Sequence, residues 1–222
     1  MSEARAGMSF LMLAAGAGER LGMGPKGFLG LAGRPLLCWL ADKAWQVADE
    51  VLVAVPEDCV EATAALLPGC RVIAGGATRQ DSIALLAAQA RGDWLLVHEA
   101  ARPFASIALF EQVIATARQH GCAGAFLSPV VPVARLRDGC VVEAYAASEV
   151  GIFQTPQVYA RADMARMLLH QATVPGWFAH SPVQLALAAG IQVHAVPGEA
   201  QNFKITSAAD WKLAHHLAHL LA

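Results

Sequence analysis

Short apolar runs alternate with stretches of helical period along this 222-residue chain, and glycine- and proline-rich breaks separate them. Phe10 to Ala15 is the first run, short and flanked as a buried parallel strand would be. Further strands are expected at Glu50 to Pro56, Cys70 to Ala74, Trp94 to His98, Gly124 to Ser128 and Ile191 to Val196. Between them, helical patterns cover Pro35 to Val47, Glu57 to Leu67, Ser82 to Ala90, Ile107 to His120, Ala160 to Gln171 and Pro182 to Ala189. A last helix, Ala208 to Leu221, starts behind a capping Ser207. Strand–helix alternation of this kind predicts an α/β fold, a doubly wound and mostly parallel sheet of Rossmann-like build.

One segment departs from that rhythm. Pro129 to Tyr145 holds two β-rich runs around Arg137-Asp138-Gly139, an Asp-Gly hairpin signal. A hairpin projecting from such a sheet has little core of its own, so a second copy of the chain is its expected partner. Residues 1–222 therefore read as one domain carrying a dimerisation arm at about 129–149, a homodimer in prospect. Gln154-Thr155-Pro156-Gln157 reads as a turn, and Met1 to Gly7 as a frayed tail.

The chemistry concentrates behind the first strand. Gly16, Gly18, Gly22 and Gly24 leave bare backbone N–H groups at the sheet's carboxyl edge, where an anion can approach. Arg20 and Lys26 stand at fixed offsets from that loop and favour a polyphosphate over a single carboxylate. The competing reading is a dinucleotide turn, which wants an acidic residue closing the second strand about 20 residues on. Here that region is the helical LLCWLADKAW, with Asp42 among helical neighbours. The triphosphate reading is preferred.

Composition narrows the class further. Hydrophobic residues make up 56% of the chain and charged ones 15%, enough for a large core and against disorder. A net charge of −2 leaves no broad footprint for nucleic acid, so an anion site must be local. The five cysteines are odd in number, widely spaced and never paired as CxxC; they read as reduced, mostly buried thiols of a cytoplasmic protein. No apolar run is long enough to cross a membrane. His215, His216 and His219 have no carboxylate or cysteine close by in sequence and are not read as a metal site.

Five blocks, LAAGAGERLGMGPKGFLGLAGRPLL, GGATRQDSI, VHEAARP, QTPQVY and NFKITSAADWKLA, occur in an order and spacing that resemble one family. It is that of the cytidylyltransferases joining CTP to 2-C-methyl-D-erythritol 4-phosphate or to ribitol 5-phosphate, with release of pyrophosphate. The resemblance runs from about Ser9 to Leu221. It implies that Ala14, Ala15, Gly16 and Gly18 hold the nucleotide, and that Arg20 and Lys26 clamp its triphosphate. Gly75, Gly76 and Ser82 would face cytosine and ribose, with Ala100 on the ribose side. Thr155 and Lys204 would lie near the acceptor phosphate, Lys204 with a catalytic part. Arg79 and Arg102 read equally well as structural ion-pair partners, and Ser82 as a helix cap. The implied reaction is in-line attack by an acceptor phosphate oxygen on the α-phosphorus, driven by positioning and charge stabilisation, with Mg²⁺ as the divalent cofactor.

The departures from that family pattern lie on the acceptor and metal side. Glu99 stands where the family has an aspartate taken to hold Mg²⁺, keeping the charge but reaching one methylene further. It is expected either to ligate the metal still or to turn towards Arg20, Lys26 or Arg102. Pro129 to Arg135 lacks the family's Asp and Thr, an expected arginine falls at Ala147, and an acidic segment falls near His180-Ser181-Pro182. Three readings follow: a transferase for a different small phosphorylated acceptor, the methylerythritol phosphate enzyme with Arg135 or Arg161 replacing the missing cation, or a non-catalytic nucleotide-binding homologue with a regulatory or structural role.

Overall fold

The fold is that of a computed structural model, which describes residues 7–16, 18, 21–174, 179 and 181–221. In chain order the strands are β1 (Met8–Leu13), β2 (Gly30–Leu31), β3 (Arg34–Pro35), β4 (Glu50–Val55), β5 (Arg71–Ala74), β6 (Trp94–Glu99), β7 (Cys122–Leu127), β8 (Val133–Arg137), β9 (Cys140–Tyr145), β10 (Ile152–Ala160) and β11 (His194–Pro197). The helices are α1 (Leu36–Val47), α2 (Val60–Leu66), α3 (Arg79–Gln89), α4 (Ile107–His120), α5 (Arg161–Thr173), α6 (Pro182–Ala188) and α7 (Ala208–His216).

Seven strands form the central sheet in the order β11-β7-β10-β6-β1-β4-β5. β1 runs parallel to both β4 and β6, and β4 to β5, as the buried apolar runs require. Alternation along β1 sends Phe10 and Met12 to one face and Leu11 to the other. The first face packs against Leu37 and Leu40 of α1 and Phe110 and Val113 of α4. The second packs against Ile83 and Leu86 of α3 and Met164 and Met167 of α5. Each fully buried Phe or Leu of these layers contributes about 1.5–3 kcal/mol by leaving water.

The sequence reading errs at several places, among them the last strand, expected from Ile191 and observed from His194. Gln154 to Gln157 is no turn but the middle of β10, which runs antiparallel between β6 and β7. Its polar residues and Pro156 disguise a buried strand, and the ladder admits the proline by a register shift between Phe153 and Gln157. The Thr155–Pro156 peptide is cis. Helix α3 begins at Arg79, three residues before the expected Ser82, because Thr78 and Asp81 form a capping box there. The C-terminal helix stops at His216 and gives way to a 3₁₀ turn at Ala218–Leu220.

A third, smaller core lies beside the site. Leu31, Leu36, Phe104, Ile205, Ala214 and Leu221 pack together, and so fasten the C-terminal segment over the β2–β3 hairpin. The arm β8–β9 packs on no core: every residue of β8 is exposed, as is β9 up to Ala144. Cys140 at its tip is exposed, against the expectation of mostly buried thiols, while Cys38 and Cys122 are buried. No described helix is long and apolar enough to cross a membrane.

Candidate functional site

A cavity of about 420 Å³ opens where β1 and β6 end, within the size range of small-molecule sites. Neighbouring strands hold its floor in place. Ala14 N–H donates to Ala54 O at 2.8 Å, Gly75 N–H to Val55 O at 2.8 Å, and Ala100 N–H to Leu13 O at 3.0 Å. Ala14, Ala15, Gly16, Gly18, Lys26, Gly76, Ser82, Ala100 and Lys204 all line the cavity, so most residues singled out from the sequence meet there. Arg20 lies outside the described residues. Arg135 is not in the cavity; it sits on the arm, paired with Glu143 at 3.0 Å.

Three close approaches explain Gly18, Gly75 and Gly76. Gly18 has φ +75°, and a Cβ there would fall 2.0 Å from Gly24 O, so the loop closes only over a bare backbone. A Cβ on Gly75 would meet the Ala15 Cβ at 2.3 Å, and one on Gly76 the Asp81 Cβ at 2.3 Å. The loop before α3 can therefore lie against the end of β1. Ser82 fixes it: its Oγ accepts from Gly76 N–H and donates to Thr78 O, both at 3.1 Å.

Lys26 and Lys204 are drawn to the same cleft from opposite ends of the chain. Lys26 Nζ donates to Ile205 O at 2.9 Å, which ties the glycine loop to the C-terminal segment. Ile205 N–H donates to Ala101 O at 2.8 Å, and its side chain is fully buried, so Lys204 stands on a pinned backbone. Behind it, Gln154 accepts from Glu199 N–H at 3.1 Å and donates to Glu199 O at 2.9 Å. Asn202 Nδ2 donates to Thr155 O at 2.7 Å and to Gln154 Oε1 at 3.2 Å. Gln154 and Asn202 thus fasten the Lys204 segment to β10. The sequence reading assigned neither a role, although both stand in the blocks it singled out.

Glu99, at the end of β6, is the electrostatic centre. Its Oε1 accepts from Arg79 Nη2 at 2.6 Å and from Lys204 Nζ at 2.7 Å, and its Oε2 from Arg102 Nε at 3.2 Å. Burial pushes the carboxyl up, but Lys204, then Arg79 and Arg102, outweigh it and hold it down at about 2. Glu99 is therefore ionised. Of the partners expected for it only Arg102 is found among these three; Arg79 and Lys204 come from segments the sequence could not bring together. Thr155 Oγ1 accepts from Glu99 N–H at 3.3 Å, beside a second cavity of about 100 Å³.

His98 precedes Glu99 with its ring packed against Phe10 and Phe110. Its Nε2–H donates to Arg102 O at 3.0 Å, and its Nδ1 is buried without a partner, as suits a neutral ring. Burial drives its pKa from 6.5 down to about 3. A group with a depressed folded pKa stabilises above its unfolded value and loses that contribution as pH falls towards the folded one. His98 loses it between 6.5 and about 3, and Glu99 between 4.5 and about 2. Denaturant titrations at about pH 7, 5.5 and 4 should therefore show falling stability, with a shallower fall for His98→Phe. Wild-type stability unchanged over that span would contradict the burial argument.

Comparison with known proteins gives a consistent picture. The family model for 2-C-methyl-D-erythritol 4-phosphate cytidylyltransferase matches residues 8–219. A curated protein of that description from Thermus thermophilus is 40% identical over 217 residues, covering 96% of this chain and 98% of its own. One from Rhodococcus opacus is 36% identical over 227 residues, covering 98% and 97%. The crystal structure of the Thermus thermophilus cytidylyltransferase matches with a TM-score of 0.77 at 33% identity, over 95% of this chain and 98% of that one. A 4-diphosphocytidyl-2C-methyl-D-erythritol synthase from Anaerococcus prevotii, at 23% identity, shares the fold with a TM-score of 0.85 over 98% and 100%.

Proposed function

Since the chain belongs to the 2-C-methyl-D-erythritol 4-phosphate cytidylyltransferase family, we propose that it transfers CMP from CTP to 2-C-methyl-D-erythritol 4-phosphate and releases pyrophosphate. The observation that carries this reading is the convergence of the glycine loop, Lys26 and Lys204 on one cleft at the sheet's carboxyl edge. Its relatives are transferases, and Lys26 and Lys204 line one cleft, so a non-catalytic role has no support.

Ala14, Ala15, Gly16 and Gly18 cradle the nucleotide with backbone groups, and Gly75, Gly76, Ser82 and Ala100 enclose its base and ribose. Lys26, with Arg20, takes the triphosphate charge. Lys204 and Thr155 face the acceptor phosphate. An acceptor oxygen attacks the α-phosphorus in line, a new P–O bond forms, and the bond to the β-phosphate breaks with its electron pair leaving on pyrophosphate. No protein nucleophile is needed.

A divalent cation fits the donors present. Among the described residues no cluster of three or more His, Cys, Asp and Glu could hold a metal by itself. Mg²⁺, however, takes few protein carboxylates and fills its sphere with phosphate oxygens and water. Glu99 is ionised, faces the cleft, and its Oε2 receives Arg102 at 3.2 Å, longer than the contacts on Oε1. Glu99 would hold the ion together with the nucleotide's phosphates, and the ion would neutralise charge on the triphosphate.

The exposed arm is assigned to a homodimer. Leu136 and Val141 face each other across β8 and β9, 65% and 66% exposed, with no core of this chain to cover them. Arg135 would then serve the acceptor of the partner subunit. Sedimentation should give a dimer for the wild type and a monomer for Leu136→Lys combined with Val141→Lys; a monomeric wild type would end this assignment. A net charge of −2 favours small local anions over nucleic acid, and a cytoplasmic enzyme is the reading adopted.

Pyrophosphate release tests the reaction. With 2-C-methyl-D-erythritol 4-phosphate present, CTP should be consumed in preference to UTP, ATP and GTP. Release with ribitol 5-phosphate alone would replace the acceptor, and equal use of ATP would overturn the nucleotide assignment.

A further inference from the structure

Two cavities meet at Glu99. The nucleotide cleft and the smaller chamber share Leu13, Arg79, Glu99 and Lys204, and the chamber adds Arg102, Thr155, Gln157 and Ser181. Three cations, Arg79, Arg102 and Lys204, thus surround one ionised carboxylate, which leaves two positive charges at the junction.

The cations are not equivalent. Arg102 also donates from Nη1 to Asn202 O at 2.7 Å and from Nη2 to Phe153 O at 3.2 Å, and its side chain is 11% exposed. It is built into the walls. Arg79 stands at the first turn of α3 with its side chain 38% exposed and lines both cavities, and Lys204 shares its carboxylate oxygen. A dianion completes this charge balance. A phosphate monoester carries about −1.5 to −2 near neutral pH, whereas the α-phosphate of a nucleotide carries about one charge.

We propose that Arg79 is an acceptor-binding residue: its guanidinium passes from Glu99 Oε1 to the phosphate of the acceptor, held in the chamber beside the nucleotide cleft. This rests on the cytidylyltransferase reading and names a contact within it. The planar fork of an arginine suits two phosphate oxygens at once, leaving the third to attack the α-phosphorus. The only bonds that change are the new P–O bond and the broken bond to pyrophosphate. Glu99 acts as the placeholder that keeps Arg79 and Lys204 at the junction before the acceptor arrives.

The test is calorimetric titration of wild type, Arg79→Ala and Arg79→Gln with 2-C-methyl-D-erythritol 4-phosphate and, separately, with CTP, read beside steady-state kinetics. Arg79→Gln keeps a polar side chain of three carbons at the start of α3 and removes the charge and the fork. Both variants should weaken acceptor binding by about tenfold or more, the loss expected for a hydrogen bond between charged groups. CTP affinity should stay within about threefold, since Arg79 is assigned no triphosphate contact. Unchanged acceptor binding in folded Arg79→Gln, CTP binding that falls as far, or no saturable acceptor binding by wild type would each overturn the proposal. The absence of CMP transfer by wild type tells instead against the enzymatic reading, because the binding titrations report on Arg79 without turnover.

Discussion

Replacing Lys26 with alanine should lower turnover by on the order of a hundredfold or more, the effect of removing one preorganised charge from a phosphoryl centre. Two observations set this expectation. Lys26 lines the cleft next to Gly16 and Gly18, and its Nζ also donates to Ile205 O at 2.9 Å. The first puts its charge in the cleft proposed for the triphosphate; the second couples it to the segment that carries Lys204. Loss of that one hydrogen bond costs about 0.5–1.5 kcal/mol. For a domain of this size that is a fall in melting temperature of about 2–4 °C per kcal/mol. Activity should collapse while the fold persists. A Lys26→Ala protein that melts far lower but keeps full turnover would make Lys26 a structural strap and nothing more.

Glu99→Gln should damage both stability and metal response. The side chain is 11% exposed and accepts from Arg79, Arg102 and Lys204. A neutral amide leaves these cations facing one another. Breaking a buried ion pair costs about 3–5 kcal/mol, but Arg79 and Lys204 are partly solvated, so a loss of about 1–3 kcal/mol is expected. The Mg²⁺ concentration for half-maximal rate should rise, measured as initial rate against metal at saturating CTP. Glu99→Asp is the informative contrast. It keeps the charge, shortens the reach by about one bond, ~1.5 Å, and loosens the hold on Arg79 and Lys204. Turnover should be retained or improved. Glu99→Gln with unaltered metal dependence would remove Glu99 from the metal site.

How far the sequence could be read follows from how local each constraint is. The placement of the glycine loop at the cleft was legible because its residues lie within one stretch, Gly16, Gly18 and Lys26 standing directly behind β1. Strands β1, β4 and β6 were legible because burial on both faces gives each a continuous apolar run, Phe10–Leu13, Val51–Val55 and Trp94–Val97. β10 was not, because its buried Gln154 and Thr155 are satisfied by the distant Glu199 and Glu99, and Gln157 by its own strand, and polarity without those partners reads as surface. The start of α3 was missed by three residues, since Ser82 and Thr78 are both plausible caps and only the Asp81 side chain decides between them. The Glu99 cluster gathers side chains 20 and 105 residues apart, and only the closed sheet brings them together. The third member of the cluster, Arg102, sits three residues from Glu99, and it alone of the three was expected as its partner.

The account stands or falls on the bond that is made. Phosphorus NMR of the protein incubated with CTP, 2-C-methyl-D-erythritol 4-phosphate and Mg²⁺ reads it directly. The prediction is two coupled resonances of a new diphosphate diester, growing in step with pyrophosphate and absent without acceptor. CTP hydrolysed to CMP, or left intact with the acceptor phosphate unshifted, would contradict it.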